Sequence, residues 1–223
     1  MNSTYFFTDF NKQQAEYAQL KQLNMSVNNT SVNNRDANNV PDFIGLYGDA
    51  SILAAADLDA PRTLIWQTLS QHREIYVCPS AAARRGIDTA HAHPPQAGLR
   101  WLSLAGMLER IAPKAGAPWA LGVRLSSDTD LARIEALELC LAALALDFRV
   151  QLSLYGAGIL GLQRSLARTG AKGYASLAMF GLAHALIAPE EMRALAPLTL
   201  SPESLSLPWQ LGIAAPVALI FDF

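Results

Sequence analysis

The 223-residue sequence has few cysteines and no apolar run of the ~18 residues that a membrane-spanning helix needs. Its two cysteines, Cys78 and Cys140, are too few for a zinc site without histidine ligands, and they offer no disulfide framework. The amino terminus lacks the basic flank and the small-residue cleavage site of a secretory signal. These absences predict a soluble cytoplasmic protein that does not associate with membranes.

Basic residues do not dominate either: 17 Lys and Arg stand against 19 Asp and Glu, which gives a net charge of −2. A protein that binds nucleic acid directly usually presents a basic face. The most noticeable basic cluster here is the pair Arg84 and Arg85. We therefore expect no direct contact with nucleic acid.

Short apolar segments alternate along the chain with helical patterns, which predicts an α/β protein with mainly parallel sheets flanked by helices. The predicted strands are Thr4–Thr8, Phe43–Tyr47, Glu74–Val77, Trp119–Leu125, Val150–Tyr155, Ala183–Ile187 and Val217–Phe221. The predicted helices are Asn11–Leu23, Pro61–Gln71, Ala81–Arg85, Leu102–Ile111, Leu131–Leu146, Ser176–Leu182 and Pro189–Leu195. Residues 24–39 are rich in Asn, Ser and Thr and have too little apolar area to offset chain entropy, so we expect a mobile loop there.

A short internal repeat indicates that the chain contains two similar domains. Leu46-Tyr47-Gly48 recurs 108 residues later as Leu154-Tyr155-Gly156, and each copy ends a predicted strand. This offset is close to half of the chain, and the predicted elements follow the same order on both sides. We therefore predict two tandem domains, 1–115 and 116–223, of which the first lacks a final strand of its own.

Cys78 lies at the junction of a predicted strand and a predicted helix, with Pro79 at the favoured first helical position. A thiol at such a junction faces backbone N–H groups without helical partners, and these stabilise the thiolate. Thiolate is the form that attacks a sulfane sulfur, and the resulting persulfide is again an anion. The same spacing also fits a buried cysteine that serves as a small apolar residue.

The segment Cys78–Ile87, with the sequence CPSAAARRGI, resembles the active-site segment of the DsrE branch of the DsrE/DsrF family, which includes the TusD subunit of the thiouridine sulfur relay. In that branch a cysteine is followed by five mostly small residues, two arginines, a glycine and an aliphatic residue. Phe43–Leu53 and Leu102–Leu108 resemble the flanking parts of the same branch.

The second half of the chain is similar to the partner branch, DsrF or TusC. The similar segments are Glu135–Leu146, Leu154–Leu162 and Phe180-Gly181-Leu182. Ala188 aligns with the sulfur-carrying cysteine, so the second domain has no thiol at that position. The resemblance implies a fused pair in which the first domain carries the chemistry.

The resemblance further implies an intracellular sulfur relay in which Cys78 accepts sulfane sulfur and passes it to a carrier protein, with no metal and no organic cofactor. Asp49, Ser80, Arg84 and Arg85 are the candidates for support of the thiol or for docking of a partner. Expected partners are upstream and downstream sulfur carriers, in a homo-oligomer or a complex with a small DsrH/TusB-like subunit. Both tRNA thiolation and sulfur oxidation remain open as the pathway.

Two other functions are compatible with the sequence. The first is a non-catalytic assembly or docking subunit of a sulfurtransferase complex, favoured by the asparagine-rich segment and the missing strand. The second is a thiol-redox enzyme, which would need a resolving cysteine. Cys140 is a poor candidate for that role because it lies within a predicted helix of the other domain.

Overall fold

The computed structural model describes residues 4–7, 43–55, 58–69, 74–87, 99–111, 120–166, 172–194, 209–212 and 219–223. The chain divides into two compact units, Met1–Ser103 and Leu104–Phe223. The second unit therefore begins with the helix Leu104–Ile111, which packs on the longest helix of that unit. The boundary expected near Ala115 lies after Leu104–Ile111 instead. The predicted helix Asn11–Leu23 and the predicted mobile loop 24–39 lie outside the described residues.

The first unit contains a sheet of four parallel strands, arranged in the order β1-β2-β3-β4. These strands are β1 (Thr4–Phe7), β2 (Phe43–Leu46), β3 (Ile75–Val77) and β4 (Leu99–Trp101). Its helical segments are a 3-10 helix at Gly48–Ala54, α1 (Ala60–Leu69) and α2 (Pro79–Arg84). The core brings β2 and β3 together with both the 3-10 helix and α2, through the buried residues Ile44, Leu46, Ala50, Leu53, Ile75, Val77 and Ala82.

The second unit contains a sheet of five parallel strands, arranged in the order β8-β7-β6-β5-β9. These strands are β5 (Ala120–Leu125), β6 (Arg149–Leu154), β7 (Ala185–Ile187), β8 (Trp209–Leu211) and β9 (Leu219–Asp222). The helices are α3 (Leu104–Ile111), α4 (Asp130–Ala145), α5 (Gly156–Leu166), α6 (Lys172–Ser176) and α7 (Pro189–Ala194), with a 3-10 helix at Leu177–Phe180. Thr129 caps α4 by accepting a hydrogen bond from the backbone N–H of Ala132.

The two sheets share one strand order. When the strands of each unit are numbered in chain order, both sheets have the spatial order 4-3-2-1. The second sheet has in addition a fifth strand, β9, beside the first strand of its unit. In the described part of the first unit, no strand pairs with the outer edge of β1. The prediction of an α/β protein with two mainly parallel sheets flanked by helices is confirmed.

Some elements differ from the predicted ones. The predicted helix Ser176–Leu182 ends as a 3-10 turn at Phe180, because Gly181 adopts a left-handed conformation with φ 99°. The described part of the predicted closing strand Val217–Phe221 lies in β9, which extends to Asp222. None of the helices in the described ranges is long and apolar enough to cross a membrane.

Candidate functional site

Cys78 lies at the carboxyl edge of the first sheet. β3 is buried along its whole length and ends directly before Cys78, while Pro79 begins α2. The Cys78 N–H donates to the Leu46 carbonyl at 3.1 Å, and its own carbonyl accepts from the Ala82 N–H at 3.0 Å. The first bond places the cysteine beside the end of β2 and the second begins α2, so Cys78 lies at the carboxyl ends of the parallel strands, the side of such sheets on which ligand sites form.

Among the described residues, the Cys78 thiol has the Ser80 side chain as a polar neighbour. Its Sγ lies 3.1 Å from the hydroxyl oxygen of Ser80. In the thiol form either atom can donate, but a thiolate can only accept, so ionisation makes Ser80 the donor. Cys78 is 1% exposed whereas Ser80 is exposed, so the thiol is covered yet contacts a side chain at the surface.

Asp49 and Arg85 form an ion pair at the same edge of the sheet. Arg85 donates from Nε and from a terminal nitrogen to Oδ1 of Asp49, at 3.1 and 2.6 Å. Its other terminal nitrogen donates to the Ala81 carbonyl at 3.0 Å. The Arg85 side chain is only 8% exposed, while that of Asp49 is 61% exposed. The guanidinium therefore ties the 3-10 helix after β2 to the end of α2.

The predicted site residues thus form two contacting pairs, Cys78 with Ser80 and Asp49 with Arg85. Helix α2, which is six residues long, lies between Cys78 and Arg85 and connects the pairs. Arg84, also predicted, lies in the last turn of α2 and is exposed. Because its side chain is exposed, Arg84 stays a candidate for docking an acidic partner.

The second unit has the same arrangement of elements without a thiol. Ala188 follows β7 directly and precedes Pro189, the first residue of α7. Here the segment after the second strand is also tied to the helix after the third, because Oε2 of Glu191 accepts from the Gly156 N–H at 2.8 Å. The sequence analysis missed Glu191, although the recurring Pro79 and Pro189 could have marked the helix on which it lies.

Cys140 occupies a different environment from Cys78. It is fully buried in the middle of α4, and burial raises the pKa of its thiol from 9.0 to about 12. Nearby Tyr174 is also buried, and its hydroxyl donates to the Arg133 carbonyl at 2.7 Å. Burial raises the pKa of Tyr174 well above its usual value, and the Cys140 charge raises it further while Arg133 opposes the change. Cys140 is therefore protonated and covered at neutral pH.

Metal binding finds no support in the residues whose positions are described. Across these ranges no three or more His, Cys, Asp and Glu side chains form a group that could hold a metal ion. His91 and His93, which have metal-like spacing in the sequence, lie outside the described residues.

Comparisons with protein-family models, curated proteins and solved structures find no match to this chain. The chemistry of the Cys78 edge therefore has to be inferred from its own geometry and from the sequence.

Proposed function

We propose that the first unit is a sulfur carrier of the DsrE type, which accepts sulfane sulfur as a persulfide on Cys78 and passes it to a second carrier protein. The observation that supports this proposal most directly is the 3.1 Å contact between Cys78 Sγ and the Ser80 hydroxyl. A hydroxyl in this position can donate a hydrogen bond to the sulfur anion that attacks the donor.

The proposed transfer balances without an external oxidant or reductant. The Cys78 thiolate attacks the terminal sulfur of a donor persulfide, a new S–S bond forms on Sγ, and the donor leaves as a thiolate. In the second step the thiolate of an acceptor protein attacks the same terminal sulfur, and Cys78 leaves as a thiolate. Neither step uses a metal or an organic cofactor.

The resemblance to the sulfur-relay family extends the proposal to location and partners. We propose a cytoplasmic protein that works between an upstream and a downstream sulfur carrier. It assembles as a homo-oligomer or with a small DsrH/TusB-like subunit. The end product is thiolated tRNA or an oxidised sulfur compound, and the chemistry at Cys78 is the same in both pathways.

Burial of Cys78 favours a second candidate function. A carrier thiol has to meet a donor sulfur, but Cys78 is 1% exposed. A protein that has kept the fold and lost turnover would serve as a non-catalytic assembly or docking subunit of a sulfurtransferase complex. The contact between Cys78 and the exposed Ser80 supports the carrier function instead, because it brings the thiol to the edge of the covered region.

Intact mass spectrometry after incubation with a persulfidated donor protein distinguishes the two functions. We expect the wild type and Cys140→Ser to gain one sulfur atom and Cys78→Ser to gain none. Cys140→Ser is the matched control because it removes the other thiol of the chain. If the donor loads a small-molecule thiol in a parallel tube but leaves the wild type unchanged, the assembly function replaces the carrier function.

A further inference from the structure

The Asp49–Arg85 ion pair connects the helix that follows β2 with the helix that follows Cys78, and the Cys78 N–H is itself bonded to the Leu46 carbonyl at the end of β2. Asp49 belongs to the 3-10 helix after β2, and Arg85 is the C-cap residue of the helix that begins after Cys78. The two helices pack on each other through buried Ala50, Leu53 and Ala82, which belong to one apolar cluster. Any motion that exposes the thiol by moving α2 away from the 3-10 helix has to break this ion pair.

The contacts of Arg85 suit this function. Its guanidinium donates two hydrogen bonds to Asp49 and one to the Ala81 carbonyl. It therefore holds the 3-10 helix and the backbone of α2 together. The Arg85 side chain is nearly buried, whereas the Asp49 carboxylate is largely exposed to solvent. Water and salt therefore reach the pair from the Asp49 side, and its strength depends on ionic strength.

We propose that Asp49 and Arg85 are positioning residues for Cys78, whose ion pair holds α2 in place and limits how often the thiol becomes accessible. The proposal rests on the proposed function, since a sulfur carrier has to expose its thiol to a donor. It also reconciles a thiol that is covered in the structure with a function that requires contact. The thiol reacts through a local opening, and the ion pair sets the population of the open form.

Alkylation of Cys78 by iodoacetamide, followed by peptide mass spectrometry on the full chain, tests this inference without any sulfur donor. We expect Asp49→Asn to accelerate alkylation about two- to fivefold, the range that corresponds to the loss of one partly exposed ion pair. Asp49→Glu, which keeps the carboxylate, should restore a rate close to that of the wild type. Added salt should accelerate alkylation of the wild type and have little effect on Asp49→Asn.

The matched control is Asp59→Asn in the same unit. Asp59 pairs with Arg62 at 3.2 Å and accepts from the Arg62 N–H, so its loss weakens a helix start away from Cys78. The inference is overturned if Asp49→Asn reacts like the wild type, or if Asp59→Asn accelerates alkylation equally. Because iodoacetamide reacts with any accessible thiol, neither result depends on whether Cys78 carries sulfur.

Discussion

The two units place different residues at one position of the same fold. In the first unit Cys78 follows the third strand, and in the second unit Ala188 does, each directly before the proline that begins a helix. Both units then tie that helix to the segment after the second strand. The first unit uses an ion pair between Arg85 and Asp49, and the second uses the Glu191 carboxylate on a backbone N–H.

This comparison separates what the fold requires from what the chemistry requires. A contact of this kind is present in both units, so holding the helix is common to the architecture, and the control of thiol access that we propose for Asp49 and Arg85 is an additional function in the first unit. The thiol and its hydroxyl neighbour, in contrast, are found at this position in the first unit alone. In the second unit the residues that follow Ala188 include Glu190 and Glu191, whose negative charges oppose a second anion.

Moving the thiol to the second unit tests this comparison with the largest expected effect. In the variant Cys78→Ser/Ala188→Cys, Glu190 occupies the position that Ser80 occupies in the first unit, two residues after the cysteine. A carboxylate repels a thiolate and cannot donate a hydrogen bond to it. The charge repulsion and the missing hydrogen bond should each lower sulfur loading by roughly tenfold. We expect sulfur loading, measured by intact mass, on the order of a hundredfold below that of the wild type.

Addition of Glu190→Ser to this variant is the control, and it should recover part of the loading by restoring a donor. Equal loading of Cys78→Ser/Ala188→Cys and the wild type would contradict the distinction between the units. The fold position alone would then suffice for sulfur transfer.

The strands at the centre of each sheet and the edge strands β1 and β9 could be predicted from the sequence, whereas the edge strands β4 and β8 could not. The observed β2 and β6 coincide closely with predicted strands, because β2 is a short apolar run and β6 alternates polar with apolar residues, and both patterns are typical of strands. β4 and β8 have only three residues each and are partly exposed, so they leave no periodic pattern. Helix α5 was missed because Gly156 and Gly158 at its start lower helix propensity.

The candidate site shows the same limit. Cys78 and the helix after it could be predicted, because a strand, a cysteine and a proline are adjacent in the sequence. The ion pair between Asp49 and Arg85 joins residues 36 positions apart, and only the packing of the 3-10 helix on α2 brings them together. The resemblance to the DsrE branch marked both residues as candidates, but it contained no information about their contact.

Gly158 provides a second way to sharpen the comparison, through stability. It lies where helix α5 approaches the end of β5, and a Cβ at this position would overlap the Leu125 carbonyl group. The corresponding residue of the first unit is Ala50, which is buried in the 3-10 helix without such a restriction. We expect Gly158→Ala to lower the free energy of unfolding by about 2 kcal/mol in chemical denaturation, because the overlap is with backbone that cannot rotate away.

Ala157→Ser is the control for this substitution, since it changes an exposed residue of the same helix and should leave the unfolding transition in place. A Gly158→Ala protein as stable as the wild type would mean that α5 can shift away from β5. The close approach would then be no requirement of the second unit.

The smallest expected effect concerns the cysteine that has no catalytic function in the proposal. Burial holds the pKa of Cys140 at about 12, above the 9.0 of an exposed thiol, so the unfolded chain ionises first. The stabilising contribution of the protonated Cys140 thiol is complete below pH 9. Above pH 9 the free energy of unfolding should fall by at most ~1.4 kcal/mol per pH unit. Tyr174, whose pKa is raised above 10.0, adds to the decline above pH 10. Urea denaturation between pH 8 and pH 11 should show a shallower decline for Cys140→Ala than for Cys78→Ser, which keeps the buried thiol. Equal slopes for these two variants would contradict the environment assigned to Cys140 and would remove the contrast between a structural thiol in the middle of a helix and the proposed carrier thiol at the edge of a sheet.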